Sequence, residues 1–135
     1  MIDARTGELR LGPIVIAPRA DEAAFLATPF GRTLPPAAGP FTSYSVRVDD
    51  PAEGSFFATL YFRDGVIAMV GFYKDDGSRS WADWSEDKER ALQAEYAALL
   101  ARELGPAPHT FPWGSAEALY DPRSASSSIV VTYAR

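Results

Sequence analysis

The chain has 135 residues, of which 47% are hydrophobic and 23% are charged, so its composition is that of a folded globular domain and excludes a disordered chain. Because it contains no cysteine, disulfide bonds, thiol catalysis and cysteine-ligated metals are excluded. Its 18 acidic residues outnumber its 13 basic ones, for a formal net charge of −5. This balance argues against nucleic-acid binding, which depends on Lys and Arg, and favours a basic protein partner.

The beginning of the sequence shows no sign of membrane targeting. Residues 1–5 lack the basic-then-apolar order of a signal peptide, and the longest early apolar run, residues 13–17, is far too short to span a bilayer. We therefore expect a cytoplasmic protein without a membrane partner.

The N-terminal third predicts two short strands and a short helix. Residues 8–11 alternate charged and apolar side chains, residues 14–16 are apolar, and Gly12-Pro13 turns the chain between them, which is typical of a short hairpin or a bent strand pair. Residues 21–28 have helical composition with acidic residues in the first turn, and Pro29 and Gly31 end the pattern. The Pro-rich segment 33–40 is predicted to be a loop.

The middle of the chain predicts a strand meander over residues 42–48, 55–63 and 66–73. Residues 49–54 have the composition of a turn, and Asp64-Gly65 separates the second and third strands. An Asp-Gly pair between two runs of high β-propensity is a strong signal for a tight hairpin. We therefore expect these three strands to be sequential neighbours in an antiparallel sheet.

Residues 86–104 give the strongest helix signal, with leucines at helical spacing, Ser85 as the N-cap, and Gly105-Pro106 as the stop. Two more strands are predicted at residues 113–120 and 128–133. The predicted order is therefore ββ-α-βββ-α-ββ. It indicates a single α+β domain, residues 1–135, in which one short and one long helix pack on a largely antiparallel sheet.

The strand pair 55–63 and 66–73 is apolar on both of its faces, whereas a sheet with one wet face alternates apolar and polar residues. One interpretation is that the short helix and the long loops cover the second face, or that the pair lies at the centre of the sheet. The other is that the second face, rich in Tyr, Phe and Met, binds a partner or a second copy of the chain.

Residues 74–90 combine six carboxylates with two tryptophans. The spacing of oxygen ligands around Asp75-Asp76-Gly77 does not match a calcium loop. The tryptophans either anchor the start of the long helix in the core or mark an edge that binds an Arg- or Lys-rich partner. The binding hypothesis assigns partner contacts to the following residues: Asp75, Asp76, Trp81, Asp83, Trp84 and Asp87.

A second candidate site surrounds His109, the single histidine of the chain. With Arg123, Ser124 and Ser126 it would supply hydrogen-bonding and anion-binding groups for a small ligand or a hydrolytic reaction. The simpler interpretation is a polar turn in which the Asp121 side chain accepts hydrogen bonds from its own backbone. One histidine cannot form a two-histidine metal site, and the sequence has no G-x-S-x-G, P-loop or G-x-G-x-x-G motif. We therefore predict no catalytic residues, no metal and no cofactor.

The tail of the chain, residues 111–115, 120–124 and 127–131, and its opening, residues 6–9, resemble small bacterial α+β proteins of the immunity-protein type that accompany polymorphic toxins. The resemblance implies a cytoplasmic inhibitor that occupies a toxin's active site or blocks its assembly. It carries no catalytic residues over to this chain. Our leading hypothesis is a non-enzymatic protein-binding domain, specifically an immunity-type inhibitor of a basic toxin domain. The alternatives are a small-ligand-binding or hydrolytic domain and a homodimeric accessory domain.

Overall fold

A computed structural model describes residues 1–30, 41–75, 84–123 and 126–134. In chain order its elements are β1 (Leu9–Leu11), β2 (Ile14–Ile16), α1 (Glu22–Leu26), β3 (Thr42–Asp50), β4 (Gly54–Arg63), β5 (Val66–Lys74), α2 (Glu86–Leu104), β6 (Thr110–Phe111), β7 (Gly114–Asp121) and β8 (Ser126–Tyr133). β1 and β2 pair as a hairpin, and the other strands form one sheet.

The larger sheet has six strands in the order β3-β4-β5-β8-β7-β6, and each neighbouring pair is antiparallel. This architecture confirms the predicted α+β class with a largely antiparallel sheet. β6, with only two residues, was not predicted; it pairs with the start of β7 and forms the outer edge. Neither helix in the described ranges is long and apolar enough to cross a membrane.

Local turn and cap chemistry explains where the best-predicted elements end. Asp64 and Gly65 have φ of 54° and 80°, as a two-residue hairpin turn of type I′ requires, so the predicted hairpin is confirmed. The Ser85 hydroxyl accepts the Lys88 N–H at 3.1 Å and caps α2 as predicted. The turn predicted at residues 49–54 is shorter than expected, because the last two residues of β3 continue to pair with the start of β4.

Both helices and the β1–β2 hairpin lie on the same side of the six-stranded sheet. α2 packs on β7 and β8, and the hydroxyl of its buried Tyr96 accepts the backbone N–H of Lys74 at 2.9 Å. In α1, the Phe25 ring lies 5.4 Å from that of Tyr44 and 5.7 Å from that of Phe62. Buried side chains of these elements form one hydrophobic cluster.

The Tyr44 hydroxyl, at the base of α1, donates to Glu22 Oε2 at 2.7 Å. Burial and this hydrogen bond raise the pKa of Tyr44 to about 12, so the hydroxyl stays protonated and remains a donor at neutral pH.

The β1–β2 hairpin is attached to the end of β3 through Asp50. The Asp50 carboxylate accepts backbone N–H groups from Gly12 at 3.1 Å, Ala52 at 2.9 Å and Glu53 at 3.0 Å. A Cβ on Gly12, whose φ is +56°, would overlap the Asp49 carbonyl oxygen, so the hairpin turn requires glycine there. Burial raises the pKa of Asp50, but the three N–H donors outweigh this effect and lower the pKa below its usual 3.8.

Replacing Asp50 with Asn is expected to lower the free energy of unfolding at pH 7 by about 1 kcal/mol, because a neutral amide accepts these N–H groups less well. Since the folded pKa is depressed, the contribution of Asp50 is present above pH 3.8 and is lost as the pH falls through the folded pKa. Urea denaturation of wild type and Asp50→Asn should therefore differ at pH 7 and converge as the pH falls below 3.8 through the folded pKa. Glu117→Gln, which removes an exposed carboxylate, is the control; equal loss in both variants would contradict the assignment.

Candidate functional site

The side of the sheet opposite the helices is named here the open face. Its side chains alternate along each strand with the buried ones. They are Ser43, Ser45, Arg47, Asp49, Ser55, Phe57, Thr59, Tyr61, Met69, Gly71, Tyr73, Ser115, Glu117, Leu119, Asp121, Ser128, Val130 and Thr132.

The structure corrects part of the expectation that the short helix covers this face. α1 contacts Tyr44 and Phe62, which point to the opposite side of the sheet. Within the described ranges no helix or strand packs on the open face. Phe41 does contact it, with its ring 6.3 Å from that of Tyr61 in an edge-on arrangement. The loops expected to cover it, residues 33–40 and most of 74–80, lie outside the described residues.

A row of exposed apolar side chains crosses the open face; it consists of Phe57, Tyr73 and Leu119 and is named the aromatic row. Phe57 pairs with Tyr73, and their rings lie 5.5 Å apart. The two residues are 36% and 47% exposed. Leu119, 36% exposed, pairs with Ser128, and continuing the β5–β8 register by one residue places Ser128 level with Tyr73. Aromatic rings held partly in water in this way are characteristic of protein-binding surfaces.

One end of the open face is acidic; this acidic end consists of Asp49, Asp75 and Asp121. Arg47 Nε donates to Asp75 Oδ2 at 3.1 Å, and Arg47 Nη1 donates to Asp49 Oδ1 at 3.1 Å. The hydrogen bond to Asp75 and the charge of Asp49 raise the pKa of Arg47. Arg47 therefore pairs with two of the three carboxylates, whereas Asp121 lies four strands away on β7. Because the carboxylates outnumber this guanidinium, the acidic end has a formal negative charge.

The acidic end continues to the first turn of α2. Ser126 pairs with Asp121, and the next residue, Ser127, donates its backbone N–H to Glu89 Oε2 at 2.9 Å and its hydroxyl to the Glu89 carbonyl oxygen at 2.6 Å. These bonds hold the N-terminus of α2, which also carries Glu86 and Asp87, against the same end of the sheet.

Three of the six partner residues predicted from residues 74–90 lie in the described part of the chain. Asp75 lies at the acidic end, Asp87 is exposed in the first turn of α2, and Trp84 is 37% exposed. Asp76, Trp81 and Asp83 lie outside the described residues.

His109 lies at the other end of β7, beside a cleft of about 440 Å³ between the C-terminal half of α2 and β6–β7. Its Nε2 is 2.8 Å from the carbonyl oxygen of Gly105. Because a carbonyl only accepts, Nε2 carries the hydrogen and is used in closing the α2–β6 connection. Ser115 and Glu117 line the same cleft.

The other members of that predicted set are not brought to His109. Arg123 follows the far end of β7, so roughly 20 Å of strand separates it from Ser115. Neither Arg123 nor Ser126 lines the His109 cleft, and Ser124 lies outside the described residues. The Arg123 backbone N–H donates to Asp121 Oδ1 at 2.9 Å, which is the polar turn of the simpler interpretation.

Sequence reasoning missed that the last two strands contribute to the open face. Leu119 and Val130 lie on it together with Glu117, and their alternation with buried Ala116 and Ile129 was visible in the sequence. What was not visible was that β8 inserts beside β5 and brings this alternation into register with the aromatic row.

Comparison of the chain with protein-family models, curated proteins and solved structures found no match. No group of three metal-ligating side chains occurs in the described part of the chain. The functional interpretation therefore depends on the geometry of the open face.

The exposure of Tyr73 predicts that it contributes little to folding. We expect Tyr73→Thr to lower the free energy of unfolding by about 1 kcal/mol, since Thr keeps strand propensity and the ring is half exposed. Its neighbour Phe72 is completely buried, and Phe72→Ala should lower the free energy of unfolding by about 3–5 kcal/mol. Urea denaturation measures both, and similar losses would show that Tyr73 is a core residue.

Proposed function

We propose that this chain is a non-enzymatic protein-binding domain and that its open face binds a basic protein partner. The observation that carries the proposal is the paired, exposed Phe57 and Tyr73 at the centre of a sheet face on which no described helix or strand packs. Aromatic residues on a rigid scaffold bury much area with little loss of side-chain entropy, so they are favoured as binding hot spots.

The charge distribution supports a partner of positive charge. The acidic end lies beside the aromatic row, and the first turn of α2 continues it with exposed Asp87 and with Glu86, which pairs with Arg90 at 3.7 Å. The chain as a whole carries a net charge of −5. Such a field speeds the approach of a basic protein and disfavours an acidic one.

The same charges disfavour a second copy of the chain as the partner. Two open faces brought together would join two surfaces of net negative charge, and like charges in a closed interface destabilise it. Association with a second copy of the chain is therefore the outcome that competes with binding of a basic partner.

Most specifically, we propose that the chain is an immunity-type inhibitor of a basic toxin domain. The resemblance of the chain's tail and opening to immunity proteins supports this form, together with the acidic aromatic surface. Inhibition would follow from occupying the toxin's active site or from blocking its assembly.

The binding test uses Phe57→Thr/Tyr73→Thr and a matched control, Val15→Thr, which removes an exposed apolar side chain from the β1–β2 hairpin. A partner captured from native cells is purified, and binding is measured by titration calorimetry. We expect a one-to-one complex with a basic protein, weakened about tenfold or more by the double substitution and unchanged by the control.

Three outcomes would contradict the proposal: equal binding by the double variant and wild type, an acidic partner, or association only with a second copy of the chain. Multi-angle light scattering of the purified chain identifies the last case. Circular dichroism first establishes that each variant is folded.

A separate prediction concerns the acidic residues. Asp75→Asn/Asp87→Asn is expected to slow association with the basic partner and to flatten its dependence on salt, with a smaller effect on dissociation. Asp64→Asn/Glu8→Gln removes the same charge from other parts of the surface and is the control. Stopped-flow association rates at low and high salt measure both, and an equal change in the two variants would remove these residues from the binding surface.

A further inference from the structure

The aromatic row borders a gap at Gly71, in the middle of the central strand β5. Gly71 pairs with Thr59 on one side and with Val130 on the other. Along β5, Tyr73 and Met69 lie two residues away in each direction, about 7 Å each at the spacing of a strand. The open face therefore has a gap between the large side chains of Tyr73 and Met69, and the floor of this gap is the backbone of Gly71. We name this gap the Gly71 notch.

Nothing in the described fold requires glycine at this position. Gly71 does not have a positive φ, and a Cβ built on it would meet no described atom within 4 Å. Glycine within a strand destabilises it relative to residues with a side chain. A glycine inside a strand marks a bulge, a tight bend or a site where another molecule approaches the strand closely, and the third of these fits the open surface at Gly71.

The notch lies in a row that ends in a carboxylate. Val130, beside Gly71, pairs with Glu117 on β7. Glu117 is exposed and has no ion-pair partner among the described residues. Two strand spacings separate Gly71 from Glu117, about 10 Å between their Cα atoms. An arginine side chain and the Glu117 side chain, extended toward each other along this row, can bridge that distance.

We propose that the Gly71 notch binds one arginine side chain of the partner, an inference that rests on the proposed function. The aliphatic part of the arginine lies on Gly71 and Val130, and its guanidinium lies within reach of Glu117 and of the Tyr73 ring. A planar guanidinium stacks on an aromatic face and pairs with a carboxylate, which suits both groups at once. A leucine would fill the notch but would leave Glu117 without a charge partner.

The probe is N-acetyl-arginine amide, titrated to about 100 mM into isotope-labelled protein and followed by amide chemical shifts, since single side chains bind in the millimolar range. N-acetyl-leucine amide is the comparison ligand. We expect arginine amide to shift the amides of Gly71, Val130 and Glu117 in a saturable way, and to leave the exposed face of α2 unchanged.

Two variants test the two parts of the notch. Gly71→Val fills the floor and should abolish the shifts, whereas Ser43→Val adds the same side chain to the open face on β3 and should not. Glu117→Gln should weaken arginine binding about threefold or more, as expected for loss of an exposed charge pair, with Glu95→Gln on α2 as its control. Thermal melts check folding, and Gly71→Val is expected to melt at or above the wild-type temperature.

The inference is overturned if leucine amide shifts the same amides as strongly, if the shifts persist in Gly71→Val, or if arginine amide produces none. These titrations use the isolated chain and need no partner. A basic partner that depends on Phe57 and Tyr73 but not on Gly71 or Glu117 would keep the proposed function and remove the arginine subsite. Partner binding that is unchanged both by Phe57→Thr/Tyr73→Thr and by the variants at Gly71 and Glu117 would remove the proposed function.

Discussion

The constraint on which the structure depends is that both described helices and the β1–β2 hairpin pack on one side of the six-stranded sheet. α2, α1 and the β1–β2 hairpin lie side by side on that surface, held by the Tyr96 hydroxyl, the Glu22–Tyr44 hydrogen bond and the Asp50 carboxylate. Because side chains of a strand alternate between the two faces, burying one set leaves the other set facing outward. The outward set here is aromatic at its centre, which is the reverse of an antiparallel sheet with one polar, solvated face.

Apolar area and charge have separate functions in this arrangement. The Phe57–Tyr73 pair offers area that a partner would remove from water, and this area favours a long-lived complex. The carboxylates at the acidic end are exposed or paired with Arg47, so they contribute little to folding and mainly affect how fast a charged partner arrives. The two contributions can be altered independently because they lie on different residues of the same face.

Local signals predicted the elements whose boundaries are set by neighbouring residues. Ser85 and Gly105 bound α2 as predicted, and Asp64-Gly65 forms the expected hairpin turn. β6 was not predicted, because a strand of two residues is too short to show an alternation of apolar and polar side chains. The sequence also indicated that Phe57, Tyr61 and Tyr73 share a second apolar face, but the side on which α1 packs depends on contacts distant in the chain. For the same reason the spacing of His109 and Arg123 in the sequence could not show that the length of β7 separates them.

The position of β8 has a consequence for how the molecule forms. β8 is the last of the described strands in the chain, yet it lies between β5 and β7 at the centre of the sheet. The β3–β4–β5 meander joins sequential strands by short turns and can form early, whereas its β5 edge stays without a neighbour until β8 has been synthesised. An uncovered apolar strand edge is prone to pairing with other chains. Nascent chains that stop before residue 126 are therefore expected to be the aggregation-prone species of this protein.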